Sequence, residues 1–251
     1  MNCIRTISVI AGLFAASAAF ASGTGYPAHD SDYPGNIENG KKIFMEGKGD
    51  VVPACFTCHG EGGMGDDSMG TPRLAGQGYP YLVKQLEDFA ADKREDTTMY
   101  IMNANAKGLT AEERRDVAKY INSLDSLALA SSDMNMLKTD LEMEVGVRYL
   151  GKGLAQQGAP ARGIPACHSC HGYNGRGAAP LYPSIGGQRY PYLVNQLMKW
   201  RDGSRANDPM GMMQVVARKL TDEDIHNVAT FLTSAPRTTM GNARVPGDLP
   251  H

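Results

Sequence analysis

The chain has 251 residues, with 25 Lys and Arg against 27 Asp and Glu, and only five cysteines. A net charge of −2 supplies no basic surface of the kind that neutralises a nucleic-acid backbone, so a nucleic-acid partner is not expected. The length accommodates two domains at the usual ~100 residues each.

The first five residues carry one positive charge, Arg5, and an apolar stretch from Ile7 to Phe20 follows. Ala19-Phe20-Ala21 then precedes Ser22. A charged start, an apolar middle and an A-x-A-like site read as a secretory signal over residues 1–21. The stretch is short for a membrane span of about 20 apolar residues, and no later segment is apolar enough to span. Peripheral association with a membrane is left open.

The next element is a short helix from Asn36 to Phe44, with a counterpart expected from Glu144 to Leu150, where Gly146 and Leu150 answer Gly40 and Phe44. Beyond the first of these stands Cys55-Phe56-Thr57-Cys58-His59, and in the second half Cys167-His168-Ser169-Cys170-His171. C-x-x-C-H is the attachment signature of a c-type haem: two thiols add to the vinyl groups and the adjacent imidazole binds the iron. Zinc, a redox dithiol and disulfides are the alternatives. Zinc needs further Cys or His at zinc spacing, and no second Cys pair lies near either motif. Cys3 falls in the signal segment, so four cysteines serve two covalent haems and none is left for a disulfide. Export fits this chemistry, because c-haem attachment in Gram-negative bacteria takes place beyond the inner membrane, and the expected location is the periplasm.

Further helices begin at Pro80 and Pro191, where a missing N–H costs nothing. Leu82, Leu86 and Phe89 recur at i, i+4 and i+7 and form one apolar face. Thr110 with Glu113, and Thr221 with Asp224, have the pattern of N-terminal caps. The helices they start bury Val117, Tyr120 and Ile121, and Val228, Phe231 and Leu232. There is no strand pattern.

The two halves repeat one another. Pro53-Ala54-Cys55 matches Pro165-Ala166-Cys167, and the eight residues from Tyr79 to Leu86 match those from Tyr190 to Leu197 in all but one position. The expected organisation is a first domain over 22–124, a linker over 125–140, a second domain over 141–235 and a tail over 236–251. The fold class is all-α: two tandem domains, each a small helical shell around its haem. The first half, from Ser22 to Leu124, has 11 basic against 16 acidic residues, and the second, from Asp125 to His251, 13 against 11.

An N-terminal helix, C-x-x-C-H, a Pro-containing loop, G-Q-x-x-x-Y-L-x-x-Q-L, a Met-bearing stretch and a capped final helix occur twice, from about Asn36 to Ser234. In this the chain resembles cytochrome c4, the dihaem class I cytochromes c. Residues 22–35, a six-residue expansion around Gly158–Gly163 and the tail after Pro236 depart from the family. The resemblance implies His/Met ligation of each iron, which raises the potential and closes the iron to exogenous ligands. Counting seven residues back from Leu109 and Leu220, as the family position implies, gives Met102 with His59 and Met213 with His171. Met99 and Met210, also paired at offset 111, are the alternatives. The resemblance further implies that the carbonyls of Pro72 and Pro183 orient the histidines. Tyr79, Tyr81, Tyr190 and Tyr192 either pack or bond a haem propionate. His168 is expected on the surface, His226 without a partner, and Trp200 packed on its helix.

No nucleophile–base pair or acid–base carboxylate pair accompanies the motifs, so no catalytic residue and no small-molecule substrate are expected. The expected function is single-electron transfer from a membrane or periplasmic donor to an oxidase or other acceptor. The alternative is an electron-accepting subunit of a periplasmic sulfur-compound dehydrogenase. A dihaem peroxidase is a third reading, opposed by methionines in both halves.

Overall fold

A computed structural model describes residues 33–124 and 132–235. The expected signal segment, the start of the linker and the tail lie outside the described residues. Among the described residues there are helices and isolated bridges and no strand.

The first domain contains α1 (Ile37–Glu46), α2 (Phe56–His59), α3 (Tyr79–Ala90), α4 (Met102–Gly108) and α5 (Ala111–Ser123). The Asn36 side chain starts α1 by accepting from the Asn39 N–H. Thr110 starts α5 with both bonds of a capping box in place, and Thr221 does the same for the last helix. α1 lies against α5 so closely that a Cβ on Gly40 would stand 2.0 Å from the Asp116 carbonyl oxygen. Ile43, Phe44, Leu82, Val117 and Ile121 form the core beside them, with Tyr120 half-buried at its edge.

The second domain contains α6 (Met134–Thr139), α7 (Arg148–Gln157), α8 (His168–His171), α9 (Tyr190–Asp202), α10 (Met212–Ala217) and α11 (Asp222–Thr233). Its first large helix corrects the sequence expectation. It runs from Arg148 to Gln157, not from Glu144 to Leu150, and so stands 111 residues after α1 at both ends. Gly151 is the counterpart of Gly40: a Cβ there would meet the Asn227 carbonyl oxygen at 1.8 Å. Gly146 touches the same turn from the segment before the helix, and its spacing to Leu150 imitates the true pair. With this register the segment around Gly158–Gly163 is one residue longer than its counterpart in the first domain. Gly47 and Gly158 close the two helices with φ of +75° and +70°, conformations that glycine adopts without steric cost. Bridges between Lys48 and Val52, and between Ala159 and Ile164, then shape loops that differ by one residue.

The expected linker is also partly structured. Asp133 caps α6 by accepting from Asn135 and Met136, and Leu137 is fully buried in the second core. α6 thus packs on the second domain.

Candidate functional site

Each C-x-x-C-H motif folds as a single helical turn, α2 or α8, and Gly60 or Gly172 ends it with positive φ. The turn brings the two cysteines and the histidine to one wall. His59 is 7% exposed and donates from Nδ1 to the Pro72 carbonyl at 3.1 Å; His171, also 7% exposed, donates to Pro183 at 2.8 Å. The proline carbonyls therefore stand where the sequence reading placed them. They fix the tautomer and leave Nε2 as the free ligand atom. Burial lowers the pKa of both imidazoles against the opposing pull of these carbonyls, which keeps the rings neutral. Burial also pushes the Cys55 and Cys167 thiols up to about 11.

Both motifs open into one continuous cavity of about 380 Å³. Cys55, Cys58, His59, Cys167, Cys170 and His171 all line it, as do Met102 and Met213. Met99 and Met212 reach the same wall, whereas Met210 is 90% exposed and stays outside it. Two carboxylates position the methionine segments. Asp96 accepts from the N–H of Met102 at 3.4 Å, and Asp208 from that of Met213 at 2.6 Å. The sequence reading passed over both, because an Asp in a polar loop looks like solvated surface.

The cavity is shared because the domains meet across it. Arg94 and Arg205, 111 residues apart, are 7% and 5% exposed in this interface. Arg94 bonds Gln85, Gln196 and Tyr192, and Arg205 bonds Asn207, Gln196, Gln85 and Tyr81. These partners are amide and phenol side chains, and both arginines line the cavity. Two buried cations with no carboxylate among these hydrogen-bond partners match the carboxylates that a haem carries, and free thiols beside a free imidazole nitrogen match its attachment. The chain's residues fit two haems.

The remaining candidates divide. Tyr79 and Tyr190 are committed to the backbone, donating to Pro34 at 2.7 Å and to Glu144 at 2.5 Å. Tyr81 and Tyr192 line the cavity and touch the arginines. His226 does have partners: Nδ1 lies 2.8 Å from the Tyr190 hydroxyl and Nε2 3.7 Å from Glu144. His168 is half-buried between Tyr173 and Phe231, not on the surface, and its Nε2 has no hydrogen-bond partner among the described residues. Trp200 packs as expected and also carries the Arg205 guanidinium 4.2 Å above its ring. Asp67, an ordinary surface acid by sequence, is 7% exposed; it pairs with Arg189 of the second domain at 3.3 Å and accepts from Ser132 at 2.6 Å.

Comparison with known proteins agrees with this geometry. The cytochrome c family profile matches residues 37–125 and again 151–236. The chain is therefore a class I cytochrome c with two tandem domains, and it binds two covalent haem c groups. The "Thiosulfate dehydrogenase electron acceptor" of Thiomonas intermedia is 37% identical over 73% of this chain and 79% of its own. Cytochrome c4 of Pseudomonas aeruginosa is 33% identical over 71% of this chain and 82% of its own. Reduced cytochrome c4 from Pseudomonas stutzeri superposes with a TM-score of 0.64 at 29% identity, over 80% of this chain and 99% of that one. The thiosulfate dehydrogenase TsdBA from Marichromatium purpuratum superposes with a TM-score of 0.71 at 32% identity, over 80% of this chain but only 40% of its own. The chain belongs to the cytochrome c4 family.

Proposed function

We propose that this dihaem electron-transfer protein works in the periplasm as the electron acceptor of a thiosulfate-oxidising dehydrogenase and passes the electrons singly to a terminal acceptor such as an oxidase. In this reading Cys55 and Cys58, and Cys167 and Cys170, carry the thioether links. His59 with Met102, and His171 with Met213, ligate the two irons. The observation that carries it is the single cavity joining both motifs: two redox centres side by side suit an oxidation that releases electrons in pairs.

Three further features support the donor assignment and the carrier role. Relatives named as thiosulfate dehydrogenase electron acceptors are 37% and 35% identical, and a TsdBA chain contains a region of this fold. In this reading His/Met ligation would leave no open iron position for a substrate. Among the described residues no helix is long and apolar enough to cross a membrane. The reduced and oxidised haems supply the redox chemistry. The chain's own residues hold the imidazoles neutral and oriented and bring both motifs to one shared cavity.

The test is anaerobic stopped-flow reduction of the ferric protein by a thiosulfate dehydrogenase with thiosulfate. Both haems should reduce, and thiosulfate without the dehydrogenase should leave them ferric. Reduction by thiosulfate alone would make the chain itself the catalyst. No reduction in the complete mixture would return the donor to another dehydrogenase or a respiratory complex.

A further inference from the structure

The loops that orient the two histidines are held from the opposite domain. Gln77, just before α3, is 4% exposed, and its amide brackets Ser184: Nε2 donates to the Ser184 carbonyl at 2.5 Å and Oε1 accepts from the Ser184 N–H at 3.1 Å. Gln188, just before α9, is likewise 4% exposed and brackets Arg73. Its Oε1 accepts from the Arg73 N–H at 2.6 Å and its Nε2 donates to the Arg73 carbonyl at 2.9 Å. Gln77 and Gln188 are 111 residues apart, as are Arg73 and Ser184, so the two clamps are one contact repeated by a pseudo-twofold.

The bracketed residues are not arbitrary. Arg73 follows Pro72 and Ser184 follows Pro183. The N–H that each glutamine receives therefore belongs to the same peptide unit as the carbonyl that accepts from His59 or His171. That unit is planar and conjugated, so a bond at its N–H fixes the plane and polarises its carbonyl oxygen. A better carbonyl acceptor draws more on the Nδ1 proton and makes the imidazole a stronger donor at Nε2. Stronger donation favours ferric iron.

We propose that Gln77 and Gln188 are crossed positioning residues: Gln77 tunes the haem held by His171, and Gln188 tunes the haem held by His59. The proposal rests on the ligand assignment given above. It makes docking of the domains a determinant of both potentials, because each haem's histidine is braced by a side chain that belongs to the other haem's domain.

The experiment replaces Gln188 by Met, and separately by Glu, in the full dihaem protein. Each haem is followed by its own hyperfine-shifted NMR resonances, with 15N-labelled histidine. In Gln188→Met the His59 haem should shift a few-fold toward ferrous at fixed applied potential, and the His59 Nδ1–H resonance should move. The His171 haem should change far less. Gln188→Glu keeps an acceptor for the Arg73 N–H, so it should return the His59 haem to the wild-type ratio or beyond it toward ferric. Gln77→Met should produce the mirror-image pattern at His171. Equal shifts at both haems, a shift at the haem of the substituted domain, or an unmoved Nδ1–H resonance would overturn the proposal. Absence of a hyperfine-shifted His59 ring in the wild type would instead overturn the ligand assignment.

Discussion

The two domains meet the same helix-packing demand with different cores. In both, the first large helix presents a glycine to a backbone carbonyl of the last one, Gly40 to Asp116 and Gly151 to Asn227. One turn further on, the first domain buries Phe44 and the second buries only Ala155. The second core instead gathers Leu137 from α6, with Met134, Met136, Leu141 and Met143 against it. The close backbone contact is kept because a Cβ has no room there. The bulk beside it is free to come from elsewhere in the chain, since cores tolerate redistribution of volume better than loss of it.

The sharpest test of two separately built domains removes one haem. Replacing Cys167 and Cys170 by Ala should leave a protein whose mass includes a single haem. The second domain should lose much of its fold, because a shell this small depends on the haem for its core. The first domain should keep its own spectrum. A mass with two haems still attached would refute the attachment assignment.

Leu137 is the next lever. It is fully buried and lies in a segment that reads by composition as linker. Leu137→Ala should cost about 2–5 kcal/mol in denaturant unfolding, the usual range for a buried leucine, and the loss should appear in the second domain's haem signals. A cost below about 1 kcal/mol would mean that α6 is an ornament on the domain and that Ala155 is compensated elsewhere.

The methionine segments differ less. Substituting Met102 by His should lower the potential of one haem by roughly 0.1 V or more, a modest part of the ~0.8 V that axial ligation spans. Met213→His should do the same for the other. Met99→His should leave both potentials near their starting values, and so should Met210→His at its exposed position. If Met99→His lowers a potential and Met102→His does not, the ligand lies three residues earlier, in the loop before α4.

These contrasts mark what a sequence can carry. The Cys and His positions and both capping boxes were legible, because each depends on residues at fixed short spacing, whereas the proline carbonyls, 13 and 12 residues from their histidines, came from the family resemblance. The start of α7 was not. Gly146 and Leu150 reproduce the spacing of Gly40 and Phe44, and only the contact with Asn227 shows which glycine bears the packing. The interface was equally hidden. Arg94, Arg205 and Asp67 sit among polar neighbours in sequence, and their burial follows from a domain pairing that no local pattern encodes. His226 reads as lone because its partner Tyr190 is 36 residues away.

The smallest difference is at the capping boxes, and pH separates them. Glu113 serves the first box and takes a single bond from Lys48 at 2.7 Å. Asp224 serves the second and takes two from Arg162, at 2.7 and 2.8 Å. Both carboxyls lie below their ordinary range. For Asp224 the chief cause is the Arg162 bond; for Glu113 burial opposes the lowering, and the Lys48 and Thr110 bonds overcome it. A depressed carboxylate contributes stability that is fully present above the unfolded value of about 4 and is lost as pH falls through the folded one. A two-point guanidinium contact also holds its geometry better than an ammonium at one point. Thr221→Ala should cost about 1 kcal/mol at neutral pH, the ordinary worth of an N-cap. Asp224→Asn should cost a fraction of that at pH 7 and progressively less as the pH falls below about 4, flattening the acid limb of second-domain unfolding. Glu113→Gln should flatten the first domain's limb less. Equal flattening in the two domains would show that the bidentate contact adds nothing to the cap, and that the two boxes work alike despite their different partners.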